Sequence, residues 1–296
     1  MENRVKFDFK AYFTNGGSLS GEDFRLDIQG NDITDEELEE YIIADLRLLM
    51  VGKMEITNKQ IFAEKHKRKY RQSKNNVLVD VSHTIENELI TYKGLPAPII
   101  CDYLSREESR KYYSDGTEFH IGKVEMVTNT GTYLDCPFHR FEGGKDLSEI
   151  QLERLCGLDG VVIRVPYTEC MEITENHLRN FEVRNKAVLI HTGWDQHWNT
   201  DIYYENHPYL TEGAAEYLKD CNVKLVGIDS HNIDNTSGST RPVHTILLGA
   251  EILIVEHLCH LNALPDEGFV FNAVPPKFKG LGTFPVRAFA SFNREY

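Results

Sequence analysis

The sequence predicts an α/β fold with a mixed or largely parallel central sheet over residues 73–296, preceded by a small β-β-α-β unit over residues 1–72. Three observations carry this. Short apolar runs (NVLVDVS, DGVVIRV, KAVLIHTGW, VKLVGIDS, ILIVEHL) alternate with helix-like stretches (SEIQLERL, TEGAAEYLKDC), as strands buried on both faces and their crossover helices do. The N-terminal segment instead alternates apolar and polar residues, the period of half-buried strands. Between the two lies the hydrophilic stretch from His66 to Asn76, the natural boundary.

Within the first unit, VKFDFKAYF and DFRLDI flank Asn15-Gly16-Gly17, which reads as two strands joined by a turn. Thr34 with Glu37 three residues later forms a capping box. Leu38, Tyr41, Ile42, Leu46 and Leu49 recur at helical spacing, and Gly52 stands where that helix is expected to stop. A strand-like MEITNKQIF follows. A unit this small holds little core of its own and is expected to dock on the rest of the chain or on another subunit.

Composition narrows the function. The chain has 296 residues, 41% hydrophobic and 26% charged, and a formal net charge of −14. That charge argues against a nucleic-acid partner, which needs a basic stripe to displace counterions. The basic run Lys65-His66-Lys67-Arg68-Lys69-Tyr70-Arg71 is short and reads as a solvated linker. No window approaches the ~20 apolar residues of a membrane span, and MENRVKFDFK has no apolar run after its charges, so no membrane partner and a cytoplasmic location are expected. Six scattered cysteines without a CxxC pair signal neither a disulfide framework nor a zinc ribbon; most are expected to be buried thiols.

The most informative stretch is Asn129-Thr130-Gly131-Thr132-Tyr133-Leu134-Asp135-Cys136-Pro137-Phe138-His139. Asp135 and His139 lie four apart with Pro137 between them, which predicts a rigid loop rather than a helix. A carboxylate and an imidazole held this way make half of a metal site, or ordinary loop hydrogen bonds. A second cluster runs from Arg241 to Glu256. His244 precedes an apolar helix-like turn, and Glu256 sits inside ILIVEHL, where burial demands a cation. A metal meets that demand, and so does an ion pair with Arg287 or Arg241.

These residues resemble the cyclase family, which contains kynurenine formamidase, isatin hydrolase and trans-dienelactone hydrolase and whose signature reads H-x-G-T-H-x-D-x-P-x-H. Residues 129–139 match at Gly131, Thr132, Asp135, Pro137 and His139. Asp80-Val81-Ser82-His83, His191-Thr192-Gly193-Trp194, His207-Pro208-Tyr209-Leu210 and Gly227-Ile228-Asp229-Ser230 follow in family order, and Pro275 to Arg287 fits the closing segment, so the resemblance covers about residues 77–290. It implies a swivelling β/β/α-like domain and a metal-dependent hydrolase of a small amide, lactam or lactone. Where the family places its first two histidines, which help hold one metal of a two-metal centre, this chain has Asn129 and Tyr133.

Carried over by position, the implied ligands are Asp135, His139, His244 and Glu256, holding one divalent ion, zinc or manganese. His139 or Glu256 either coordinates or moves the proton, and Tyr133 is placed to hydrogen-bond a developing oxyanion. Asn129, His83, His191 and Trp194 are candidate substrate contacts, and the aromatic stretch from Trp194 to Tyr209 suits a lid or a subunit contact. Alternatives on the same scaffold are a Lewis-acid dehydratase, isomerase or cyclisation enzyme, and a catalytically inactive small-ligand-binding protein. Relatives assemble, so a dimer or tetramer is expected.

Overall fold

The computed structural model describes residues 2–28, 30–64 and 76–293. The basic run from Lys65 to Arg71 lies outside them. Contacts divide the chain into two compact units, Met1–Gln72 and Ser73–Tyr296.

The first unit is an antiparallel three-stranded sheet, β1 (Glu2–Phe13), β2 (Ser18–Ile28) and β3 (Val51–Glu64), with β1 in the centre, and one helix, α1 (Asp35–Asp45). Alternation in the strands sends Val5, Phe7, Phe9, Leu26 and Ile28 to one face, where Leu38 and Ile42 of α1 cover them. The capping box forms as its sequence predicts: Glu37 N donates to Thr34 Oγ1 at 3.1 Å, and Thr34 N donates to Glu37 Oε2 at 2.8 Å. The helix does not run to Gly52. It ends at Asp45, Arg47 and Met50 turn the chain with positive φ of 49° and 61°, and Gly52 falls inside β3.

The second unit is built on a nine-stranded sheet. Its elements in chain order are β4 (Asn76–Asp80), β5 (Ile99–Leu104), α2 (Arg106–Ser109), β6 (Ile121–Glu125), β7 (Tyr133–Asp135), β8 (Leu158–Arg164), β9 (Glu172–Ile173), α3 (Glu175–Leu178), β10 (Ala187–His191), β11 (Tyr209–Leu210), α4 (Glu212–Asp220), β12 (Leu225–Ile228), α5 (Pro242–Gly249), β13 (Leu253–Glu256), β14 (Glu267–Asn272), β15 (Thr283–Pro285) and β16 (Phe289–Asn293). The strand order is β15-β7-β13-β12-β10-β8-β14-β16-β4. The four central strands, β13, β12, β10 and β8, run parallel, and both flanks are antiparallel, so the sheet is mixed.

The continuous apolar runs behave as expected of doubly buried strands. In β10, Ala187 and Leu189 face one core while Val188 and Ile190 face the other; in β13, Leu253 and Val255 oppose Ile254 in the same way. The second core is closed by α4 (Ala214, Ala215, Leu218) and α5 (Val243, Leu247, Leu248). Two runs depart from expectation. NVLVDVS forms an edge strand, β4, of alternating exposure, and SEIQLERL holds only a 3-10 turn at Leu152–Arg154. Two of the six cysteines, Cys136 and Cys259, are buried, Cys101 is exposed, and none is disulfide-bonded. Among the described residues no helix is long and apolar enough to cross a membrane.

Candidate metal centre

Register, more than proximity in sequence, assembles the site. The three residues of β7 insert antiparallel between β13 and β15, pairing Asp135 with Ile254 and with Thr283, and Tyr133 with Glu256. Because side chains alternate, Leu134 enters the first core while Tyr133 and Asp135 share the face of Ile254 and Glu256, the face that α5 covers. His244 reaches the same place from the first turn of α5. The chain after Asp135 turns at once through Pro137–His139, bringing the His139 imidazole back over the carboxylate.

The donor atoms of Asp135, His139 and His244 all lie within 4.8 Å of one another. His139 Nδ1 is 3.7 Å from Asp135 Oδ1, and His244 Nε2 is 3.7 Å from Asp135 Oδ2 and 3.6 Å from Glu256 Oε1. These gaps are too long for hydrogen bonds. Two donors bound at about 2.1 Å to one tetrahedral ion stand about 3.4 Å apart, so the spacing suits a shared cation. Asp135 is fully buried, and its Oδ2 has no hydrogen-bond partner among the described residues. A buried carboxylate oxygen left in this state is costly unless a cation meets it. The residues present therefore fit a divalent ion, and the His139 side chain, 34% exposed, leaves one flank open to solvent as a reactive rather than purely structural site requires.

Each donor is oriented by a neighbour. His244 Nδ1 is 2.6 Å from Asp234 Oδ2, and the same carboxylate accepts the backbone amides of Val243 and His244 at 2.8 and 3.0 Å, capping α5. Thr283 Oγ1 donates to Asp135 Oδ1 and lies 2.8 Å from His139 Nδ1. Glu256, unlike Asp135, is satisfied at both oxygens. Ile233 N donates to Oε1 at 2.7 Å, and the Tyr133 phenol donates to Oε2 at 2.6 Å, with Asn232 Nδ2 at 3.4 Å. Neither arginine considered as its partner reaches it: Arg287 pairs with Asp80, and Arg241 donates to the carbonyls of Asn235, Gly238 and Thr240.

Electrostatics follow from this burial. Desolvation opposes a proton on His244, but its contacts with Asp135 and Asp234 and the charge of Glu256 outweigh it and raise the pKa to about 10 in the metal-free chain. Burial lifts Glu256 to about 7, with the His244 charge pulling it down and the Asp135 charge pushing it up. Tyr133, buried beside two carboxylates, is held well above the ordinary phenol value and remains a donor.

A cavity of about 840 Å³ opens onto this cluster and is lined by Asn129, Tyr133, His139, His244 and Glu256, together with Tyr92, Arg140 and Arg241. Of the residues singled out from sequence, Asp135 is buried behind the cavity lining, and His83, His191 and Trp194 do not line it. His191 does end β10, but Arg164 Nη1 lies 2.9 Å from its Nδ1 and Asp229 3.9 Å from its Nε2. Trp194 is buried and donates to Tyr203 O, and His83 stacks on Trp198 with ring centroids 3.8 Å apart. The segment from Trp194 to Tyr209 is accordingly no free lid: two 3-10 turns, Trp194–His197 and Asp201–Tyr204, sink Trp194 and Tyr203 into the interior. Asp234 and Thr283 escaped sequence reasoning. Asp234 lies in a loop where an acidic residue needs no special cause, and only the strand pairing places Thr283 beside Asp135.

The chain's residues 79–235 match the Cyclase family, described as "Putative cyclase". It is 27% identical over 213 residues to a kynurenine formamidase of Geobacillus thermodenitrificans, covering 71% of this chain and 90% of the relative, and 24% identical over 212 residues to one of Bacillus anthracis, covering 71% and 95%. An isatin hydrolase A of Labrenzia aggregata bound to benzyl benzoate superposes with a TM-score of 0.63 at 22% identity, covering 74% of this chain and 94% of the other, a likeness of fold. The matched span exceeds half of the sequence and holds Asp135, Pro137 and His139 on the strand and turn that build the cluster: the chain belongs to the Cyclase family.

Proposed function

We propose that this protein is a metal-dependent hydrolase of a small amide, lactam or lactone that uses one divalent ion, zinc or manganese. The observation that carries the reading is the unsatisfied Asp135 Oδ2, buried in a cluster with His139 and His244, two histidines that line an open cavity. Asp135, His139 and His244 would hold the ion, and Glu256 stands beside them. Kynurenine formamidases among the relatives, and the isatin hydrolase among the structural neighbours, support a C–N bond as the target.

A divalent ion at this position supplies a nucleophilic water at neutral pH and polarises the scissile carbonyl. The chain's own residues do the remaining work. Glu256, with a pKa of about 7, is suited to accept a proton at Oε1 and return it to the leaving nitrogen. Tyr133 fixes Glu256 through Oε2, so that its other oxygen keeps one direction. Asn129 lines the wall of the same cavity and offers an amide to the substrate. Tyr133, at a position where a histidine stands in the family signature, spends its phenol on Glu256, which favours one ion over two. A cytoplasmic homo-oligomer without nucleic-acid or membrane partners completes the reading.

The test is a panel of aryl formamides, lactams and lactones assayed with the metal-loaded protein and after chelation. Turnover of one class that vanishes on chelation and returns with zinc or manganese supports the proposal. Stoichiometric metal without hydrolysis of any compound would move the assignment to Lewis-acid dehydration or isomerisation. Asp234→Asn provides a graded check: with the charged partner of His244 Nδ1 removed, divalent-ion affinity is expected to fall about 10- to 100-fold with the fold intact, read by competition with a chromogenic chelator.

A further inference from the structure

The wall of the cavity around the metal cluster carries two guanidinium groups that have no carboxylate partner among the described residues. Arg140 follows His139 directly, Arg241 immediately precedes α5, which bears His244, and both line the cavity with His139, His244 and Glu256. Among the described residues, arginine–carboxylate ion pairs are those of Arg4, Arg110, Arg164 and Arg287. Glu212 lines the same cavity, and no ion pair joins it to either guanidinium. In a chain with 46 acidic and 32 basic residues, two arginines left without a carboxylate on one cavity wall call for an explanation.

Both are held in place by neutral groups. Arg140 Nε donates to Thr245 Oγ1 at 3.1 Å, and the Thr245 hydroxyl donates to Arg241 O at 2.7 Å, linking the two residues across the first turn of α5. Arg241 Nη1 donates to Gly238 O at 2.8 Å and to Thr240 O at 2.7 Å, which fixes its plane without neutralising its charge. A guanidinium has five donors in a rigid fork suited to a carboxylate, and pre-positioning reduces the entropy lost on binding. The amides at the start of α5 play no part, since Asp234 already occupies those of Val243 and His244.

We propose that the substrate is an amide or lactone bearing a carboxylate of its own, and that Arg140 and Arg241 receive this carboxylate while the scissile carbonyl faces Asp135, His139 and His244. The inference rests on the hydrolase reading for its reaction and on the arginine pair for its substrate class. An anionic tail anchored away from the reacting carbonyl fixes the substrate's direction in the cavity.

The test compares formanilide with 2- and 4-formamidobenzoate, which add only a carboxylate to it, by calorimetric titration of the metal-loaded protein. At least one formamidobenzoate is expected to bind about 10- to 100-fold more tightly than formanilide, the range of a charge-assisted contact. In Arg140→Gln/Arg241→Gln that advantage is expected to disappear, with formanilide binding and metal content unchanged. Equal binding of all three compounds overturns the inference. So does an advantage that persists in the double variant, which would assign the carboxylate to the metal cluster. Hydrolysis is scored separately: selective binding without turnover keeps the arginine site and counts against the hydrolase, whereas turnover of formanilide and both formamidobenzoates with equal KM keeps the hydrolase and rejects the arginine site.

Discussion

Asp135→Asn is expected to abolish stoichiometric divalent-ion binding and to lower amide or lactone hydrolysis by at least about 10³-fold, the kinetic equivalent of the several kcal/mol a Lewis-acid ion contributes. The replacement is close to isosteric. Its carbonyl still accepts from Thr283, but the oxygen that stands 3.7 Å from His244 Nε2 becomes an amide that brings neither charge nor a lone pair. The variant should fold, because one buried charge is removed from a crowded acidic cluster that also contains Glu256 and Asp234. Elemental analysis beside the parent protein checks the first part, and circular dichroism the last. Full metal occupancy in the variant would mean that Asp135 is not a ligand.

The second large effect falls on stability. A Cβ on Gly282 would stand 2.5 Å from His139 Cα and nearer still to its backbone nitrogen, and one on Gly144 would stand 2.6 Å from the Pro137 carbonyl carbon. These are backbone atoms that cannot swing away, so the turn carrying His139 is clasped by two glycines. Gly282→Ala is expected to destabilise the second unit by about 3 kcal/mol, which lowers its melting temperature by about 6–12 °C. Both tryptophans, Trp194 and Trp198, belong to that unit, so intrinsic tryptophan fluorescence reports on it alone. Displacing His139 by about 1 Å should also cost about 10²-fold in turnover. Gly143→Ala is the control: nothing lies within 4 Å of its Cβ, and no change is expected.

The legible part of the site is its chemically unusual part. Glu256 inside an apolar run stands out because burial makes it expensive, and Asp135 and His139 stand out as a carboxylate and an imidazole around a proline; the structure gathers Asp135, His139 and His244 into one cluster and lines one cavity with His139, His244 and Glu256. The fold was legible for the same reason, since doubly buried strands need uninterrupted apolar residues. Expectation failed where position along a strand stood in for position in space. His191 ends β10, as a ligand contact in an α/β sheet should, but Arg164 and Asp229 surround it. The strand NVLVDVS has an apolar composition and yet lies at an edge, because composition says nothing of strand order. Asp234 and Thr283 carry no local signal at all; their importance resides in pairings with residues 10 and 148 positions away.

The three-residue strand β7 has a kinetic consequence. Its partners on the two sides come from residues 253–256 and 283–285, so every pairing that places Asp135 closes a loop of more than a hundred residues. Contacts of such sequence separation form slowly, because the entropy of closure is spent before they yield anything. The parallel strands β8, β10, β12 and β13, which adjoin one another in the sheet in the order in which they follow along the chain, can associate first, leaving β7 to be captured among the last elements. During refolding, ion uptake should therefore trail the recovery of secondary structure, and the metal would mark the final step of assembly.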